Sequence, residues 1–258
     1  MGIGNVVDFA TLKVKIFADG AELNGMVRLA ANPLIKGFTT NPTLMHRAKI
    51  GDYESFARAV LAAIRDRPVS FEVFADDFAE MAAQARVIAS WGANVYVKIP
   101  VSNTGGEFAG ALIRELASEG IALNVTALTT VRQVREVCGC LAPTAPALVS
   151  LFAGRVADTG VDPLPLMAEA VQVLRARPRA ELVWASPREL LNIFQADAVG
   201  CQVITVTNDI LAKLPLVRKD LDEYSLETVQ MFRRDAVAAG YTIAVPAARR
   251  PARVASVR

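Results

Sequence analysis

The sequence predicts an α/β fold, a single (β/α)8 TIM barrel with an additional C-terminal helix. Three observations carry this. Eight short runs rich in β-branched and aromatic residues recur along the chain, and the segments between them place apolar residues at three- and four-residue steps. Strands alternating with helices build a parallel sheet, and eight is the number that closes a barrel. With 258 residues, 53% apolar and 21% charged, and no linker, repeat or low-complexity stretch, the chain suits one large core. A doubly wound open sheet shares the alternation, so the count alone leaves it open.

The elements follow in order. Strand one is "KVKIFAD" (13–19), followed by helical "AELNGMVRLAAN". Strand two, "IKGFTTN" (35–41), precedes "DYESFARAVLAAIRD", and strand three, "VSFEVFA" (69–75), precedes "DDFAEMAAQARVIASWG". Strand four, "NVYVKIP" (94–100), and strand five, "IALNVTA" (121–127), lead into "GEFAGALIRELASEG" and "TTVRQVREVCG". Strand six, "PALVSLF" (146–152), and strand seven, "ELVWAS" (181–186), lead into "DPLPLMAEAVQVLRAR" and "PRELLNIFQADAVG". After strand eight, "CQVITV" (201–206), come "TNDILAKLP" and the extra helix "SLETVQMFRRDAVAAG" (225–240). Leu226, Val229, Phe232, Ala236 and Val237 fall on one side of that helix, which would dock on a neighbouring subunit or close over its own barrel. The expected boundaries are a lead at 1–11, the barrel at 12–240 and a basic tail at 241–258.

Composition narrows the function classes. No apolar run reaches the ~18 residues of a membrane span, and "MGIGNVVDFA" lacks the pattern of a secretory signal. A cytoplasmic protein with no membrane partner is expected. The net charge of +2 gives no case for nucleic acid, and Arg249, Arg250, Arg253 and Arg258 supply a basic tail that reads as a frayed terminus. Three cysteines, Cys138, Cys140 and Cys201, suit a reducing compartment. With only His46 beside them they do not make up a metal set, so no metal or other cofactor is expected.

The polar residues gather at the strand ends, where barrels of this kind hold their chemistry. Asp19 ends strand one, and Thr40 and Asn41 end strand two. Glu72, Lys98, Asn124, Thr126 and Ser150 lie in strands three to six, with Arg155 just beyond; Ser186 ends strand seven and Arg188 follows. Parity sets Lys98 with Tyr96, opposite Val95, Val97 and Ile99, and sets Glu72 with Ser70 and Phe74. Taken singly, such Asp, Asn, Thr and Ser residues are usually caps or turn formers; "DGAE" and "NPT" fit that reading. Glu72 and Lys98 lie inside apolar runs, where a charge must be paired. A purely structural ion pair between them stays open. So does a reactive amine. Burial disfavours the charged form of a lysine, and the free amine can attack a carbonyl. With a ketose it gives an iminium that accepts the electrons of the bond between the third and fourth carbons. Cleavage needs a base and imine formation needs proton relays; Asp19, Glu72 and Thr126 are the residue types for that work.

The motifs "GFTTNPTL", "FEVFADD", "VYVKIPV", "LNVTAL", "SLFAGRVAD", "WASPREL" and "GCQVITV" resemble, in order, the strand motifs of transaldolases. The resemblance is closest to the short bacterial-type members and their fructose-6-phosphate aldolase relatives, and spans roughly 12–240. It implies a metal-free class I aldol mechanism in a (β/α)8 barrel. Lys98 in "VKIP" would be the Schiff-base lysine, Asp19 the acid/base for carbon–carbon cleavage, and Glu72 with Thr126 the holders of a proton-relaying water. Asn41 would hold substrate hydroxyls, Ser150 and Ser186 would contact substrate or brace the lysine, and Arg155 and Arg188 would bind a sugar phosphate. The aldolase branch resembles a pattern with glutamine at the Glu72 position and tyrosine at the Phe152 position, so Phe152 points to transfer over simple cleavage. "SPR" has proline where the family more usually shows an aromatic.

The expected reaction is transfer of a dihydroxyacetone unit from a ketose phosphate to an aldose phosphate, as part of carbohydrate metabolism such as the pentose phosphate pathway, in a homo-oligomer of unspecified size. An aldolase releasing free dihydroxyacetone is the second reading, and a non-catalytic sugar-phosphate-binding barrel the third. "NTGG" (103–106) reads as a two-glycine turn ahead of a phosphate cradle, and His46 as a solvated helix residue.

Overall fold

A computed structural model describes residues 9–245. The four tail arginines lie outside the described residues. The chain separates into two compact units, one running to Leu214 and one beginning at Pro215.

The first unit contains eight parallel strands: β1 (Lys15–Asp19), β2 (Ile35–Thr39), β3 (Val69–Glu72), β4 (Val95–Pro100), β5 (Leu123–Leu128), β6 (Ala147–Leu151), β7 (Ala180–Trp184) and β8 (Val203–Thr207). Each pairs with the next, and β8 pairs with β1 to close the barrel. Around it run α1 (Leu23–Ala30), α2 (Pro42–Arg47), α3 (Tyr53–Ala63), α4 (Phe78–Ala89), α5 (Gly110–Ser118), α6 (Val131–Cys140), α7 (Ala153–Asp158), α8 (Pro163–Leu174), α9 (Leu191–Ala198) and α10 (Asn208–Leu211). Closure removes the open-sheet alternative. Two short helices, α2 and α7, follow β2 and β6 where no apolar stripe announces a helix. The second unit is built on α11 (Leu221–Ala238), whose N-terminus is capped by the Asp220 carboxylate accepting from the backbone of Asp222 and Glu223.

Strand parity explains the layers. Val69, Phe71, Val95, Val97 and Ile99 point outward under the helices, each at most 5% exposed. Burying each such side chain contributes about 1.5–3 kcal/mol. Inward, Phe17, Leu148, Val183 and Val203 form a separate apolar cluster with Tyr96 against it. Gly37 makes this plug possible, because a Cβ there would sit 2.6 Å from the Phe17 ring. Above the plug the inward positions turn polar, and the site is built on them. One expectation fails here. β3 ends at Glu72, so Phe74 has left the alternation; it is exposed and packs 4.6 Å from the Tyr53 ring on α3.

Among the described residues no helix is long and apolar enough to cross a membrane. Cys138 and Cys140 are buried free thiols on α6, both pushed up by burial.

Candidate active site

Lys98 sits near the end of β4, in register with Glu72 on β3 and Asn124 on β5, and is 7% exposed. Its Nζ donates to the Thr40 carbonyl at 3.1 Å and lies 3.2 Å from Glu72 Oε2. That charge contact lacks hydrogen-bond geometry, so Glu72 Oε2 is buried without a hydrogen-bond partner among the described residues, and Thr126 Oγ1 is likewise unpartnered. Beside the amine runs a fully buried string: Ser150 Oγ donates to Asn124 Oδ1 at 2.7 Å, and Asn124 Nδ2 donates to Ser70 Oγ at 3.0 Å. Ser150 therefore steadies the lysine's strand neighbour rather than the lysine itself. Buried polar groups tied into such a string hold one geometry.

Glu72 is held from outside the barrel. The β2–β3 ladder reaches only Ser70, leaving the Glu72 backbone without a strand partner on that side. The Tyr53 hydroxyl fills the gap, accepting from Glu72 N–H at 2.7 Å and donating to Glu72 C=O at 3.0 Å. Burial holds the Tyr53 phenol protonated well above its usual range.

Asp19 closes the other side of the mouth. The cap of α1 is Glu22, which accepts from the backbone of Asn24 and Gly25, so "DGAE" leaves the Asp19 carboxylate free of capping. Thr39 Oγ1 donates to Asp19 Oδ1 at 2.9 Å, and Asn41 Nδ2 lies 3.2 Å from Oδ2. Asn41 serves both readings at once, since its Oδ1 also caps α2 through Leu44 N–H at 2.9 Å. Burial raises the Asp19 carboxyl above its ordinary range, against the opposing pull of Lys98, Thr39 and Asn41. The expected mouth residue Thr40 proves to be its neighbour. Thr40 turns its hydroxyl to Ser70 C=O at 2.9 Å, while Thr39 faces inward.

Cationic groups occupy the rim beyond β6 and β7. Arg155, on α7, stands 5.5 Å from the Phe152 ring centre. Arg188 is ion-paired with Asp158 at 2.5 Å and donates to both the carbonyl and hydroxyl of Ser186. Ser186 thus braces Arg188, in a left-handed conformation with φ 60°. The tightness of this corner explains Gly154, where a Cβ would lie 1.6 Å from the Ser186 carbonyl oxygen. No large residue fits there.

The ten residues expected to form the site (Lys98, Asp19, Glu72, Thr126, Asn41, Ser150, Phe152, Ser186, Arg155 and Arg188) line one cavity of about 470 Å³, whereas Thr40 and Asn124, also read at the strand ends, are not among its lining. That size suits a small polar metabolite. Thr39, Arg47, Thr205 and Thr207 also line it and escaped the sequence reading. Threonine is an ordinary strand residue, so "CQVITV" gives no sign that one hydroxyl faces the mouth; parity counted back from Asp19 is the signal that finds it. A hollow of about 760 Å³ at the opposite strand ends gathers no comparable set: Arg58 and Arg67 are paired with Glu54 and Asp66, and Arg65 donates to the Ala62 carbonyl. "NTGG" is a turn closed on itself and tied to Asp76 through Thr104, with Gly106 at φ 82°. His46 is exposed on α2.

Comparison with known proteins adds an independent observation. Residues 16–243 match the family model described as Transaldolase/Fructose-6-phosphate aldolase. A probable transaldolase of Dehalococcoides mccartyi is 35% identical over 78% of this chain and 90% of its own length. Probable transaldolase 2 of Listeria monocytogenes is 33% identical over 82% of this chain and 94% of its own length. Among solved structures, dihydrodipicolinate synthase from Rhodopseudomonas palustris superposes with a TM-score of 0.55 at 13% identity, covering 75% of this chain and 69% of that one. At that identity the likeness speaks to the barrel fold alone.

Proposed function

The chain belongs to the transaldolase/fructose-6-phosphate aldolase family, and from that premise we propose that it is a transaldolase. It would carry a dihydroxyacetone unit from a ketose phosphate to an aldose phosphate through a Schiff base on Lys98, without a metal. The observation that carries this reading is the Lys98 amine, 7% exposed, 3.2 Å from the Glu72 carboxylate and in one cavity with Asp19 and Thr126.

The amine attacks the ketose carbonyl after passing a proton to Glu72. Glu72 Oε2 and Thr126 Oγ1, both with unused hydrogen-bonding capacity, hold the water that carries protons as the carbinolamine forms and loses hydroxide. The resulting iminium accepts electrons. Asp19 removes the proton of the fourth-carbon hydroxyl, the bond between the third and fourth carbons breaks, and an aldose phosphate departs. The three-carbon enamine stays on Lys98. An incoming aldose phosphate offers its aldehyde carbon to the enamine, Asp19 returns the proton to the new alkoxide, and hydrolysis of the iminium frees the product and the amine. Asn41 orients substrate hydroxyls, and Arg155 with Arg188 binds the phosphate.

Transfer is favoured over plain cleavage by Phe152, which lacks a hydroxyl to protonate the enamine. The test is borohydride reduction in the presence of fructose 6-phosphate, followed by peptide mass mapping. A stable adduct on the Lys98 peptide is expected, and seven-carbon ketose should form when erythrose 4-phosphate is added. Adduct at another residue, or none, would sink the mechanism. Steady release of dihydroxyacetone without acceptor would select the aldolase reading.

A further inference from the structure

Behind Asp19 stands a second hydroxyl. Thr205, on β8, is 7% exposed, and its Oγ1 lies 2.5 Å from Thr39 Oγ1. Thr39, 3% exposed, donates in turn to Asp19 Oδ1 at 2.9 Å. A hydroxyl has one proton to give. While Thr39 spends its proton on Asp19, the short contact behind it can only be donated by Thr205. The chain therefore runs one way: Thr205 O–H to Thr39, Thr39 O–H to the carboxylate. β1 makes this contact possible, because it lies between β2 and β8 and pairs with both. The two threonines come from opposite flanking strands, and only Thr39 touches Asp19 directly.

We propose that Thr205 is a positioning residue for the acid/base step: by donating to Thr39 it fixes that residue's single proton on Asp19 and keeps the carboxylate ionised and correctly turned. The inference rests on the acid/base role given to Asp19 above. Its physical basis is cooperative. A hydroxyl that accepts a hydrogen bond becomes a better donor, and a donor to a carboxylate favours the ionised form. Without Thr205, Thr39 is free to rotate its proton away. Burial already works against ionisation of Asp19, so each donor matters. A threonine that merely filled space would be replaceable by valine, which has nearly the same volume and no hydroxyl to bury.

The experiment compares Thr205→Val and Thr205→Ser with the unaltered enzyme, using fructose 6-phosphate as donor and erythrose 4-phosphate as acceptor. The measured quantity is the acid limb of kcat against pH, which reports groups in the bound complex after Lys98 has been consumed in the imine. In Thr205→Val the limb should move up by roughly 0.5–1 in pH. Thr205→Ser should restore it, and borohydride trapping at Lys98 should proceed equally in all three. If the valine profile matches the unaltered one, or if serine does not restore it, the proposal is wrong. Loss of trapping along with kcat would make Thr205 a general packing residue and would overturn it too. Should Thr205→Val fail to fold, Thr205→Ala carries the same comparison. Absence of any Lys98 adduct in the unaltered enzyme would instead bring down the Schiff-base reading, and this inference with it.

Discussion

Burial raises the Asp19 carboxyl above its ordinary value of 3.8, and the opposing pulls of Lys98, Thr39 and Asn41 offset only part of that. The consequence is a stability cost tied to pH. Between the unfolded value and the higher folded one, the folded chain holds more proton than the unfolded chain, so stability falls as pH rises through that interval. Above it the whole deficit is present. Asp19→Asn keeps the shape and removes the charge, so its Tm should exceed that of the unaltered protein at pH 7. The gap should close as pH drops below 3.8, where the carboxyl is neutral in both states. Activity should fall about 10²–10⁴-fold. Thermal denaturation across pH, run beside an activity assay, checks both halves. A lower Tm at neutral pH would mean that attraction to Lys98 outweighs burial.

At the scale of single elements, the end of β3 is the weak point that the fold repairs from outside. Towards β4 the strand end is secured, Glu72 pairing with Lys98, but on the β2 side the ladder stops at Ser70. Tyr53 then holds both backbone groups of Glu72, and its ring stacks edge-on with Phe71 and Trp91. One phenol on α3 thereby fixes the direction of a carboxylate inside the barrel. Tyr53→Phe retains the ring packing and leaves the Glu72 N–H unpaired, which should cost about 1–3 kcal/mol. The borohydride trapping rate at Lys98 should fall as well, because Glu72 loses its aim at the amine. Urea denaturation and a trapping time course measure the two effects. A stability loss with unchanged trapping would leave Tyr53 a structural residue only.

Over the whole molecule, what was legible in the sequence was what periodicity and charge in apolar runs reveal. Eight strands, the outward set around Val97 and the inward pair Glu72 and Lys98 all follow from alternation, because one wrong register would bury charge against the helices. Short connections are different. α2 and α7 carry too few residues to show a stripe, and the choice between Thr39 and Thr40 turns on where a strand stops, which alternation does not mark. The contact of Thr205 with Thr39 was hidden for a different reason: parity gives the face of each hydroxyl but not which side chains from β2 and β8 meet across β1. The barrel also separates its tasks by height. Leu148 lies in the apolar plug with Phe17, Val183 and Val203, while Ser150, two residues on along β6, belongs to the string beside Lys98. Leu148→Ala should therefore cost about 2–5 kcal/mol of stability through the cavity it leaves. The mouth is supported by its own hydrogen bonds, so kcat of the folded fraction should stay within about twofold, a change under about 0.5 kcal/mol in barrier. Urea denaturation gives the first number, and an activity assay well below the midpoint gives the second. A large fall in kcat would show that the plug and the mouth move as one body, and that the threonine and asparagine strings do not by themselves hold the site in shape.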